Sequence, residues 1–208
     1  MIKWRRLEVS SGFLLAVAVL LWLGSGTLLF WAALACILHE LGHMAALRAM
    51  GGKIRALRIT VVGAELVFSS RQVLSYGREL IVVLAGPACN LAAALLTARL
   101  LGAREGTHLF VGLNLVLGCF QLLPIYPLDG GRALEAMIAL FFLPAAAQRF
   151  TRALSLVCEL ILLALGAAVL WHTGCNFTLL VTALWLLAGT LGRRYPSFSS
   201  ASSSSRSC

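Results

Sequence analysis

Long apolar runs dominate the chain, separated by short basic, glycine-rich or proline-rich segments. Six runs follow one another: Gly12 to Leu23, Thr27 to about Met50, Glu79 to Leu101, His108 to about Leu123, Arg152 to about Trp171, and Phe177 to Leu191. Runs of this length and apolarity predict transmembrane helices. The first run is the shortest, and Gly24-Ser25-Gly26 behind it would also suit signal-peptide cleavage. The second run follows at once, which favours a retained span. Gly51-Gly52 ends the second run.

The pattern changes after those glycines. Lys53 to Val62 alternates in part and is rich in Ile, Val and Thr; Gly63 interrupts it and Ala64 to Ser69 resumes it. This suits a short β-hairpin at the membrane surface, or an irregular interfacial loop. Pro124-Ile125-Tyr126-Pro127-Leu128-Asp129-Gly130-Gly131 breaks the helical pattern, and Arg132 to Phe142 resumes it. Ser197 to Cys208 is serine-rich. The expected fold class is an all-α polytopic membrane protein of about six transmembrane helices, with a membrane-associated β-hairpin after the second. Residues 1–194 are expected to form one membrane domain and 195–208 a disordered tail.

Composition agrees. Of 208 residues, 60% are hydrophobic and 12% charged, which no ordinary soluble domain shows. A net charge of +9 raises the question of nucleic acid, but the basic residues are scattered between apolar runs and form no phosphate-binding face. They act instead as topology signals. With six spans and a cytoplasmic N-terminus, only Arg99 and Arg104 fall outside; Lys3, Arg48, Lys53, Arg132, Arg193 and every other basic residue fall inside. The chain is therefore expected in the cell membrane with both termini cytoplasmic. The six cysteines form no CxxC pair, and most of them lie inside apolar runs and read as small packing residues.

One apolar run carries polar chemistry. His39-Glu40-Leu41-Gly42-His43 puts two imidazoles one helical turn apart on one face, the spacing of two ligands of a single zinc ion. Glu40 is placed to act on a metal-activated water. A third ligand is usual, and Asp129, Glu135, Glu159, His108 and His172 are the candidates. Topology puts His39, His43 and Asp129 at similar depth in the cytoplasmic half, and His108 and His172 near the opposite face. Glu135 lies three residues from Arg132 and suits a local ion pair. Glu159 has no backbone feature that presents it. Asp129 sits in a proline- and glycine-rich break, and a carboxylate at that depth needs a partner or a metal. Zinc, one ion per chain, is therefore assigned to His39, His43 and Asp129, with Glu40 as general base.

Together with Gly86-Pro87, Asn90 and Pro124-x-x-Pro127-Leu128-Asp129-Gly130, these residues come in one order along most of the chain. In that order the sequence resembles the site-2 protease family of intramembrane metalloproteases (peptidase family M50). It is most similar to the six-span subgroup that processes sporulation sigma factors. The resemblance implies a zinc-dependent endopeptidase performing regulated intramembrane proteolysis on a membrane-tethered substrate, in that subgroup a sigma-factor precursor. It leaves room for inhibitory membrane partners and a homo-oligomer, and implies no nucleic acid. It supports the hairpin after the second span, whose edge would take an unwound substrate as an added strand. It also implies that Asn90, Gln121, Pro124 and Pro127 line the active site or bind substrate. Gln121 departs from the family's usual Asn. Gly102 to Thr107 is too short for an inserted PDZ domain, and the serine-rich tail stands where the sporulation subgroup carries a nucleotide-binding CBS domain. Two other functions are weighed against this one: a metal transporter, which would need polar residues along several spans, and a catalytically inactive membrane scaffold.

Overall fold

The computed structural model describes residues 2–4, 7–9, 26–51, 54–60, 63–68, 75–101 and 105–192. The expected first span, the serine-rich tail and part of the turn after Leu101 lie outside the described residues. Ten elements are described, in the order β1 (Ile2–Trp4), β2 (Leu7–Val9), α1 (Gly26–Ala49), β3 (Ile54–Thr60), β4 (Gly63–Phe68), α2 (Tyr76–Leu101), α3 (Glu105–Gln121), α4 (Asp129–Ala139), α5 (Pro144–Thr173) and α6 (Thr178–Gly192). Three of them, α1, α2 and α5, are long and apolar enough to cross a membrane; α3 and α6 are shorter apolar helices. At 17 and 15 residues, α3 and α6 measure about 22–25 Å at the helical rise, less than a full hydrocarbon core.

Strands β3 and β4 pair antiparallel, with Thr60 opposite Gly63 next to the connection and Ile54 opposite Phe68 at the far end. The register shifts between Ile54 and Ala56. The sheet has four strands in the order β1-β2-β3-β4, because β2 adds parallel to β3 and β1 pairs antiparallel with β2. The N-terminal strands were not expected from the sequence. Each is three residues long, too short for a period to show before pairing.

Local signals explain most helix ends. Gly51 takes φ +76°, and its N–H reaches the Arg48 carbonyl as α1 stops. Pro144 occupies the first turn of α5, where a missing N–H costs nothing, so the helix starts eight residues before the expected Arg152. Gly174, at φ +70°, closes it with a bond to Leu170 O. The largest correction concerns the break. α3 ends at Gln121, earlier than expected, while Asp129, Gly130 and Gly131 are already helical. The glycines provide clearance there. A Cβ at Gly130 would strike the Leu122 carbonyl, and one at Gly131 would lie 2.6 Å from Ile125 O. Without side chains, the first turn of α4 can lie directly on the backbone of the preceding loop.

That loop is anchored by its apolar residues. Ile125 and Leu128 are buried with Leu186 of α6, and Phe120, Leu123, Cys158 and Leu162 pack around them. α5 presents a buried stripe at four-residue intervals, Ala147, Thr151, Ser155 and Glu159. Farther along α5, a Cβ at Gly166 would lie 2.8 Å from Leu180 N, so α5 and α6 meet backbone to backbone.

Candidate metal centre

His39 and His43 lie on the buried face of α1 with Ala35 and Leu47. The four-residue spacing stacks the two rings edge to face, with centroids 4.7 Å apart. Asp129 is the first residue of α4, behind an extended Leu128, so its carboxylate stands in the favourable field of a helix N-terminus. All three side chains are buried. His39 Nε2 is 3.0 Å from Asp129 Oδ2, His43 Nε2 is 3.1 Å from the same oxygen, and the two Nε2 atoms are 3.1 Å apart. They are one group of three donors that could hold a metal ion.

The histidine tautomer sharpens this. His43 Nδ1 lies 2.8 Å from the Val82 carbonyl oxygen, which only accepts, so Nδ1–H donates. A neutral His43 then turns the lone pair of Nε2 toward Asp129 and His39. His43 Nε2 and Asp129 Oδ2, 3.1 Å apart, then face each other lone pair to lone pair, which a cation among the donors relieves, and a backbone carbonyl on the remote nitrogen is the usual support of a metal-bound imidazole. The edges of about 3.0–3.1 Å are close to the roughly 3.3 Å edge of a tetrahedron with 2.0–2.1 Å bonds. Two imidazoles and one carboxylate also make a donor set that zinc accepts. These residues fit the ion.

The helix pair α1–α2 is built around this constellation. A Cβ at Gly86 would collide with the His43 ring. A Cβ at Gly42 would meet Ala85 O and lie 2.8 Å from Cys89 Cβ. Glycine on each helix therefore lets the other approach. Pro87 sits inside α2 without breaking it and is fully buried. Its ring removes the N–H that Val83 O would accept, and the carbonyl that orients His43 is the adjacent Val82.

The other sequence-predicted residues take different places. Glu40 follows His39 on α1 and is partly buried. Asn90 has no exposed surface and donates from Nδ2 to Ala35 O, one turn before His39, at 3.3 Å. Gln121 is the last residue of α3, and its Oε1 is buried without a hydrogen-bond partner among the described residues. Pro124 O lies 3.5 Å from Ser155 Oγ, and Pro127 packs near Gly189 of α6. Arg132 faces Glu79 of α2 at 3.9 Å. His108 and His172 are exposed, as are Cys36, Cys119 and Cys175, so those three cysteines are not interior packing residues. Gly86 as clearance for His43, Val82 as its orienting carbonyl, and Ser155 and Thr190 as loop supports were missed. For Ser155, the polar stripe at four-residue spacing in α5 was the available signal.

The backbone path has a known counterpart. The site-2 protease from Methanocaldococcus jannaschii superposes with a TM-score of 0.68 over 94% of this chain and 95% of that one, at 22% identity. The chain has the fold of a site-2 protease. By sequence it is 28% identical over 150 residues to a curated zinc metalloprotease of the same organism. That match covers 64% of this chain and 42% of the relative, so the chain spans less than half the length of the relative it matches. No protein-family model matches the chain.

Proposed function

We propose that this chain is an intramembrane zinc-dependent endopeptidase that hydrolyses a peptide bond of a membrane-tethered protein. The observation that carries the proposal is the triangle of His39, His43 and Asp129, three donors 3.0–3.1 Å apart with the His43 tautomer set by Val82. The site-2 protease fold and the similarity to a zinc metalloprotease support the same reading. The three residues would hold one zinc ion, which would supply the activation of a water and the polarisation of a carbonyl. Glu40 takes a proton from the attacking water as its oxygen bonds to the peptide carbonyl carbon. It then gives that proton to the amide nitrogen as the C–N bond breaks.

Asn90 fixes the α1–α2 contact beside the histidines, and Gln121, Pro124 and Pro127 form the wall along which substrate lies. Six spans, a β3–β4 hairpin at the membrane surface and a serine-rich tail outside the membrane domain complete the architecture. The charge asymmetry argues for cytoplasmic termini and for product release to the cytoplasm. A sigma-factor precursor is the first substrate to try. Co-expression of a membrane-tethered candidate with the Glu40→Gln variant provides the test. Cleavage is expected to stop while the purified variant keeps its zinc. Continued cleavage by the zinc-loaded variant contradicts the mechanism, and metal transport by it would replace the protease reading with a transporter.

A further inference from the structure

The buried stripe of α5 contains a carboxyl group that the proposed reaction does not use. Glu159 is 1% exposed. Its Oε1 is 2.5 Å from Thr190 Oγ1, and the same hydroxyl oxygen is 2.8 Å from the Tyr126 carbonyl oxygen. One hydroxyl has one hydrogen, and carbonyl and carboxylate oxygens only accept. With Glu159 ionised, one of the two contacts would set lone pair against lone pair. Its other oxygen, Oε2, is buried with no hydrogen-bond partner among the described residues, a costly position for negative charge inside a helix bundle. One arrangement satisfies both contacts. A protonated Glu159 donates to Thr190 Oγ1, and Thr190 donates to Tyr126 O.

The acceptor at the end of this chain belongs to the irregular segment before Asp129. Pro124 and Pro127 carry no N–H, and irregular backbone at membrane depth needs partners supplied by the protein. Ser155, one turn before Glu159 on the same face, accepts from Tyr126 N–H at 3.0 Å. Both backbone groups of Tyr126 are thus held by side chains of α5 and α6, three residues ahead of the third metal ligand. Were Glu159 charged, it would draw the Thr190 hydrogen to itself and leave the Tyr126 carbonyl without it.

We propose that Glu159 is a positioning residue for Asp129, kept protonated so that Thr190 directs its single hydrogen to the Tyr126 carbonyl. This rests on the protease reading only in giving Asp129 a metal to hold. Two measurements on the full chain in detergent or lipid test it. The first is the infrared difference between the unmodified protein and Glu159→Gln at neutral pH. A protonated-carboxyl band is expected to be lost on substitution; loss of carboxylate bands instead overturns the proposal. The second is zinc retention against a chelator. Glu159→Gln still presents a donor to Thr190 and is expected to match the unmodified protein. Thr190→Val is expected to release zinc about tenfold more readily, roughly the loss seen when a supporting partner of a ligand is removed. Thr190→Ser should restore retention. Equal loss in Glu159→Gln and Thr190→Val, or no loss in Thr190→Val, overturns it. If Thr190→Val does not fold, Thr190→Ala, which also lacks the hydroxyl, takes its place with the same expectations. The infrared band needs no substrate, so a lost carboxylate leaves the protease reading standing. A protonated band in a protein that cleaves nothing tells against the protease reading alone.

Discussion

The two sides of the metal centre are held in place by opposite means. On the α1–α2 side, His39 and His43 are positioned by the absence of atoms. Gly42 and Gly86 let two helices approach until one backbone carbonyl can steer an imidazole. On the α4 side, Asp129 follows an irregular segment whose backbone is bonded to the side chains of Ser155 and Thr190. The first side is a steric fit between regular helices, and an extra methyl has nowhere to go. Ahead of the tight Gly130-Gly131 contact, the second is a set of hydrogen bonds from Ser155 and Thr190 to irregular backbone, where those two side chains can change size provided each donor and acceptor keeps a partner. The first should therefore be intolerant of size and the second intolerant of lost polarity.

The largest effect is expected from Gly86→Ala. The new methyl meets the His43 ring, and the ring cannot swing aside without giving up Val82. Overpacking of this kind costs about 1–3 kcal/mol, and here it falls on a metal ligand, so zinc content and thermal stability should drop together. A Gly86→Ala protein that keeps both would remove the steric half of the comparison. Next comes Ser155→Ala, which adds no bulk but removes the hydroxyl that accepts from Tyr126 N–H, at about 1–3 kcal/mol before relaxation. Ser155→Thr keeps the hydroxyl and should behave better than Ala in a denaturation series, although it is larger; the reverse order would show that the α5 contact is steric after all. Asn90→Leu loses one long bond to Ala35 O, and interhelical bonds in membranes average about 0.6 kcal/mol, so a small shift in stability with zinc retained is expected. Arg132→Ala should be the mildest. Its pair with Glu79 spans 3.9 Å and is more than a third exposed on both sides, so a change beyond about 0.5 kcal/mol would be a surprise.

Legibility from the sequence divides along the same line. His39 and His43 were readable because four-residue spacing on a helix fixes which side chains share a face. Asp129 was readable because a carboxylate at membrane depth demands a reason. The backbone around it was misjudged. A Pro-Leu-Asp-Gly-Gly string suggests non-helical chain, yet the glycines permit close approach and the helix begins at the aspartate itself. Gly86 was visible as part of the Gly86-Pro87 motif, but its role depends on which ring faces it across 43 positions, which no local pattern encodes. Glu159 was set aside because nothing beside it in sequence presents it, while its partner Thr190 lies 31 residues on and the carbonyl they serve belongs to Tyr126. Contacts that combine a polar side chain with a distant backbone group leave only a faint trace, here a polar stripe in an otherwise apolar helix. The two N-terminal strands left none, because three residues do not make a period.

The central claim is that α1 and α4 bring two imidazoles and one carboxylate to a single ion. X-ray absorption at the zinc edge of the purified, metal-loaded protein tests it most directly. The expected result is one zinc per chain with only nitrogen and oxygen neighbours at about 2.0–2.1 Å, two of them imidazoles, and loss of bound zinc in Asp129→Ala. Sulfur neighbours at about 2.3 Å, or full zinc occupancy without Asp129, would contradict the assignment.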